Sequence, residues 1–200
     1  MRSTSGRWHH IDRRWVIVVV VVIAALLYWW WPGLSGEGSD IDVSIRVTSE
    51  FADGRQSIER RLREEGWRTE WSNDSADWCH LADAVATVDP DVDMIVIWGP
   101  NSDSCASAAI TAASVMKAAA GRRVFVVVTS SVPGAMTAAL TSAGATVVPA
   151  HRLLGDPGQE MDCLWWEDCP AEGRMSTWNG SELSTAGYER VARSIVAALR

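Results

Sequence analysis

The stretch VDMIVIWGPNSD, Val92 to Asp103, limits the possible folds more than any other part of the chain. Val92 and Met94 to Trp98 are apolar and mostly β-branched, and the run stops at Gly99-Pro100-Asn101, the pattern of a fully buried strand that breaks into a tight loop. Strands buried on both faces belong to parallel sheets covered by crossover helices. In open sheets of this kind ligands sit beyond the carboxyl ends of central strands. The loop Gly99 to Asp103 is therefore where function is expected.

The remaining apolar runs extend the pattern. Asp42 to Val47, Trp67 to Trp71, Val124 to Thr129 and Ala145 to Val148 read as strands. Helical spacing appears at Asp53 to Glu65, Leu81 to Val88, Ser104 to Ala120, Pro133 to Ala143 and Ser184 to Leu199. Strands alternating with helices imply right-handed crossovers and a three-layer α/β/α sandwich around a parallel sheet. Strand order does not follow from the alternation. Asp53 with Gln56 three residues on has the form of a capping box, and Gly121 stands where the third helix should stop.

Ahead of this domain stands Trp15 to Trp31, WVIVVVVVIAALLYWWW, 17 residues without a charge. As a helix it would be about 25 Å long, marginal but sufficient for a hydrocarbon core. Tryptophans mark both edges, and the arginines before it set the amino terminus inside, so the body faces outward. A cleaved signal peptide is the alternative, but three tryptophans and Pro32 stand where small cleavage-site residues belong. The expected organisation is a basic cytoplasmic tail (1–14), a transmembrane signal anchor (15–31), a linker (32–40) and an extracytoplasmic domain (41–200). The protein is thus expected in the cell membrane with a single pass.

Charge and motifs exclude several functions. Arg2, Arg7, Arg13 and Arg14 against Asp12 give +3 before residue 15, which leaves −10 of the net −7 for the rest. An acidic body argues against a nucleic-acid partner. No Gly-x-Gly-x-x-Gly follows the first strand and no Gly-Lys-Ser/Thr occurs, so a phosphate cradle is missing and no cofactor is expected.

All four cysteines lie beyond the apolar span, an even number that suits two disulfides in an oxidising compartment. Three pairings are possible. Cys79 and Cys105 follow consecutive strands and so emerge at the same sheet edge, while Cys163 and Cys169 are close in sequence. These two pairs are favoured. Zinc is the alternative, but no Cys-x-x-Cys exists and no metal site is expected. The aperiodic stretch from Pro149 to Leu183 holds Trp165 and Trp166 beside Glu167 and Asp168. Loop packing is the expected role of the indoles, and stacking on sugar rings is the alternative.

Two features together resemble the SGNH (GDSL-type) serine hydrolases. One is the loop Gly99-Pro100-Asn101 after the third strand, and the other is Leu183-Ser184-Thr185-Ala186-Gly187-Tyr188 running on to Ala192 before a final helix. More narrowly, CLWWEDCPAEG (Cys163 to Gly173) followed by GYERVARSIVAALR (Gly187 to Arg200) is similar to membrane-anchored members of actinobacterial cell envelopes. The resemblance covers roughly residues 41 to 200. It implies a flavodoxin-like α/β/α fold and a serine that attacks an ester carbonyl while a glycine amide and an asparagine hold the oxyanion. Gly99 and Asn101 match the oxyanion groups. Ser49 falls at the nucleophile, with Thr48 the runner-up by a one-residue shift.

The acid-base pair departs from the family. Where Asp-x-x-His is expected the chain has Asn179-Gly180-Ser181-Glu182, and a neutral Asn179 cannot stabilise an imidazolium. His80 and His151 are the two histidines that could supply an imidazole from another loop. Two functions follow from the resemblance: a weak or degenerate esterase acting on acylated envelope glycans or lipids, or a non-catalytic binding domain that keeps the cleft.

Overall fold

The expected strands form one parallel sheet. β1 (Val43–Val47), β2 (Thr69–Ser72), β3 (Met94–Trp98), β4 (Arg123–Val127) and β5 (Thr146–Val148) pair in the order β2-β1-β3-β4-β5. The structure, a computed structural model, describes residues 42–72, 78–99 and 107–200, and of Ser49 and Glu50 the backbone alone. Asn101, Cys105 and the expected anchor over 15–31 lie outside the described residues. Among the described residues no helix is long and apolar enough to cross a membrane.

Why the sheet is sandwiched is visible in β3. Met94, Val96 and Trp98 face one layer, where Ile58 and Leu62 of α1 (Arg55–Glu64) and Val191 and Ile195 of α6 (Thr185–Leu199) meet them. Ile95 and Ile97 face the other layer, against Val85 of α2 (Leu81–Ala86), Val115 of α3 (Ala108–Ala118) and Leu140 of α4 (Ala135–Ser142). Alternation along a strand sends successive side chains to opposite faces, so a strand apolar at every position needs a cover on each. The outcome is the three-layer arrangement that the alternation of elements implies.

The sheet order decides where a site can be. β1 is the first strand laid down, β2 adds on one side of it, and β3, β4 and β5 add on the other. This is the flavodoxin-like order, and its direction reverses between β1 and β3, which opens a crevice at their carboxyl ends. The Thr48 amide donates to the Trp98 carbonyl at 3.0 Å and carries the pairing one residue past the strands. The two strand ends are thus held side by side.

One polar group interrupts the buried face of β1. Arg46, 3% exposed, donates to Glu70 on β2 at 3.0 Å, and the Ser44 hydroxyl donates to the same carboxylate oxygen at 3.1 Å. Charged groups inside a sheet persist only when paired in this way.

Local chemistry differs from the expected capping box. A 3-10 turn (Ser49–Gly54) precedes α1, Gly54 takes the N-cap, and no side chain caps the helix. Asp53 is already wound into that turn, whereas a side-chain N-cap needs extended backbone. Ser184 does act as a cap: its hydroxyl accepts from the Gly187 amide at 3.2 Å and donates to the Ser176 carbonyl at 2.9 Å.

The stretch from Pro149 to Leu183 is not a bare loop. It contains α5 (His151–Leu154), a hairpin of β6 (Glu160–Asp162) with β7 (Arg174–Ser176), and a smaller hairpin of β8 (Trp178–Asn179) with β9 (Glu182–Leu183). The disulfide Cys163–Cys169 closes a ring between β6 and β7. Cys79 is also disulfide-bonded, and no described cysteine is free.

Arg190 of α6 holds this excursion in place. Its side chain is 1% exposed and grips Glu167 with two charge-assisted hydrogen bonds of 2.6 Å, from Nε and from one terminal nitrogen. It also donates to the carbonyls of Leu153 at 2.6 Å and Asp162 at 2.8 Å. One guanidinium therefore ties α5, β6 and the disulfide ring to the last helix. Gly187 completes the junction, because a Cβ there would stand 2.2 Å from the Thr177 carbonyl oxygen. Trp166 lies under Arg193, whose guanidinium carbon is 4.2 Å from the ring centroid. Its neighbour Trp165 meets the Trp166 ring edge-on at 5.6 Å yet is 91% exposed, contrary to the expected loop packing of both indoles.

Burial alone would push the Glu167 carboxyl up, but hydrogen bonds from Arg190 and from the Leu164 amide, with the charges of Arg190 and Arg193, hold it below the ordinary value of 4.5. A depressed carboxylate contributes stability that is present above its unfolded pKa and is lost as pH falls through its folded one. Glu167→Gln leaves Arg190 buried without its counter-charge and should cost about 3 kcal/mol at pH 7. Urea unfolding should show the gap between parent and variant shrinking as the pH falls below the ordinary carboxylate range.

Candidate functional site

Three aromatic rings gather at the crevice between β1 and β3. Phe51, in the 3-10 turn after β1, stacks on Trp98 at the end of β3 with centroids 4.2 Å apart and planes 15° from parallel. Tyr188 meets Trp98 edge-on at 6.0 Å. The turn can wind this tightly against them only because Gly54 has no side chain, since a Cβ would come within 2.5 Å of the Tyr188 ring. On the other side of the loop, a Cβ on Gly99 would stand 2.6 Å from the Trp78 indole.

The described polar groups here are mostly donors. Tyr188 is 7% exposed and its hydroxyl makes no hydrogen bond to any described residue. Burial, and then the negative charges of Asp53 and Glu182, push its pKa above the ordinary 10.0. The phenol therefore stays protonated at neutral pH and offers a hydrogen to an acceptor. Trp98 Nε1 and Thr48 Oγ1 are buried without partners. Unpaired buried polar atoms are rare and call for a reason. Thr48 is 4% exposed, which suits a packed hydroxyl better than an attacking one.

The expected site residues are distributed as follows. Ser49 opens the 3-10 turn at the carboxyl end of β1, and Gly99 is buried directly after β3. The strand pairing puts these two backbone positions at neighbouring strand ends. Asn101 lies outside the described residues. Asn179 and Glu182 face each other across the β8–β9 hairpin, both exposed, with Gly180 at φ +67° in the turn. Glu182 is near enough to act on Tyr188, whereas Asn179 carries no charge to contribute.

Neither histidine joins this group in the same way. His151 starts α5 past the end of β5, three strands from β1 in the sheet order, or roughly 14 Å at the spacing of neighbouring strands. It lines a separate hollow of about 350 Å³ with Thr137 and Pro133. His80 is exposed at the end of a 3-10 turn (Trp78–His80), on the side where Trp78 packs against Gly99. The nearest approach to a metal-ligand set among the described residues, Cys163, Glu167 and Cys169, is already engaged. Both sulfurs are in the disulfide and the carboxylate is held by Arg190.

Phe51 was not singled out by the sequence motifs, Asp53 was read only as a helix cap, and Tyr188 was named only within the Leu-Ser-x-x-Gly segment. Phe51 carried no signal of its own, because its place depends on a 3-10 turn that its spacing does not announce.

No family model and no curated protein matches the chain. Among solved structures, the flavodoxin-like domain of a Synechococcus sp. protein is similar at 15% identity, covering 76% of this chain and 92% of that one, with a TM-score of 0.38. The Vibrio cholerae chemotaxis protein CheY4 is similar at 15% identity over 54% of this chain and 83% of its own, TM-score 0.37. A de novo designed Rossmann 2x3 protein is similar at 12% identity over 54% and 76%, TM-score 0.35.

The chain has two tyrosines, so a Tyr188→Phe subtraction isolates the Tyr188 phenol in an ultraviolet pH titration. It should ionise above pH 10, and Asp53→Asn combined with Glu182→Gln should bring it down without returning it fully to the ordinary value, because the burial cost remains.

Proposed function

We propose that residues 41–200 form an SGNH-hydrolase-like domain that faces outward from the cell membrane, anchored by the segment 15–31, and works by recognising an acylated envelope glycan or lipid in the β1–β3 crevice. Binding without turnover is the favoured activity. The observation that carries it is the pairing of Asn179 with Glu182 across an exposed hairpin at the position where the resemblance calls for an aspartate and a histidine. With the family's aspartate and histidine replaced by Asn179 and Glu182, the serine loses the base that the family provides, and a hydroxyl at its free pKa is a poor nucleophile. The crevice still supplies what a binding site needs. The half-buried Phe51, backed by the buried Trp98, offers an apolar face to an acyl group, and a protonated Tyr188 can donate to its carbonyl oxygen.

Ester hydrolysis is the second reading. It is favoured by the position of Ser49 at the carboxyl end of β1 beside Gly99, where a nucleophile and an oxyanion amide would stand in the family. On that reading Glu182 or a histidine from a neighbouring loop takes the proton.

Both readings are tested with the full chain and its disulfides intact. Turnover of an aryl acetate should be the same for the parent and Ser49→Ala, and an O-acetylated envelope polysaccharide should bind more tightly than its deacetylated form. Tyr188→Phe should weaken that binding about three- to tenfold, the worth of one hydrogen bond. Turnover that disappears with Ser49→Ala overturns the non-catalytic reading in favour of the second. Equal binding of both polysaccharides overturns acyl recognition.

A further inference from the structure

A hollow of about 610 Å³ runs beside β5 and along α6. Val147, Leu153 and Val196 give it an apolar wall, and its charged groups are Arg61, Arg152, Arg193 and Arg200 against Glu65 alone. Four arginines to one carboxylate is unexpected where residues 15–200 carry a net −10. The carboxylate is also occupied: Glu65 pairs with Arg61 at 3.4 Å and with Arg200. Arg61 is further satisfied by Glu64 at 2.8 Å.

Arg152 and Arg193 are left over. Neither makes a hydrogen bond or an ion pair with any described residue, and both line the hollow. Arg193 lies over the Trp166 ring, its Nε buried without an acceptor, and the Trp166 Nε1 is buried in the same condition. Burial, and then the like charge of Arg61, push the Arg193 guanidinium below its ordinary 12.5 against the opposing charges of Glu189, Glu64 and Glu167, none of which forms an ion pair with it. The ring of Cys163–Cys169, fixed from beneath by Arg190, holds Trp166 in that position. An apolar hollow of small-molecule size, with the exposed Arg152 and the half-buried Arg193 at its wall and neither in an ion pair with a described residue, has the make-up of a site for an anionic ligand.

We infer that this hollow binds a small amphiphilic anion, one carboxylate or phosphate head on an apolar body, with Arg152 and Arg193 at the head and Val147, Leu153 and Val196 along the body. The site shares no residue with the β1–β3 crevice and does not rest on the function proposed for it. Trp166 and Arg193 form one side as a stacked pair, on which a flat apolar body can lie.

The probe is 2-naphthoate, with its neutral isostere 2-naphthalenemethanol as the comparison, titrated calorimetrically into the full chain. The carboxylate should bind at least tenfold more tightly than the alcohol, and its affinity should fall as salt rises. Arg152→Gln with Arg193→Gln should abolish that advantage. The salt dependence is read on the unaltered protein and stands even if the double variant folds poorly. Absence of naphthoate binding at millimolar concentration, equal affinity for both probes, or an unchanged carboxylate affinity in the folded double variant would each overturn the inference.

Discussion

Strand β3 must be covered on both faces, and most of the architecture answers to that requirement. Five consecutive residues, Met94 to Trp98, are between 0% and 3% exposed. A strand in that state cannot be an edge and cannot face water, so its neighbours must be strands on both sides and helices above and below. β1 and β4 supply the first, and the two helical layers supply the second. Burying the strand this deeply also fixes where chemistry can happen. Only the ends of the strands reach the surface, and only at the β1–β3 reversal do the connections diverge to leave a crevice.

Around this frame the polar interactions are few but concentrated. Among the described residues, Arg46 with the half-buried Glu70 and Arg190 with the buried Glu167 are the ion pairs that reach the interior, and they do different work. The first compensates a charge inside the sheet. The second fixes the disulfide-closed part of the segment between β5 and α6, which also joins the core through Leu154, Leu183 and Trp178. Buried pairs of this kind add little net stability over apolar packing but penalise every arrangement that separates them. The excursion therefore has one position rather than several, and both the Tyr188 neighbourhood and the Trp166 side of the α6 hollow inherit that fixity.

Much of the fold was legible because burial periodicity is a local signal. The run at Met94 to Trp98, the alternation of elements and the Cys163–Cys169 ring all follow from residues close in sequence. The candidate site was legible only in part. Ser49 and Gly99 could be found from strand ends, but the capping expectation for Asp53 failed because a 3-10 turn had already taken up that residue. Trp165 and Trp166 look alike in sequence. Their opposite fates depend on Arg193, which lies 27 residues downstream of Trp166 and meets it only after α6 docks (193 − 166).

By itself, then, the sequence determined the class of fold, its strands and its helices, because hydrophobic spacing acts over a few residues and each element must bury the face it presents. Tertiary structure alone decided the strand order, the gathering of Phe51, Trp98 and Tyr188, and the two unpaired arginines beside α6. Those are relations between residues far apart in the chain. Their energies arise from desolvation and charge pairing, which exist only once the layers have closed and water has been excluded.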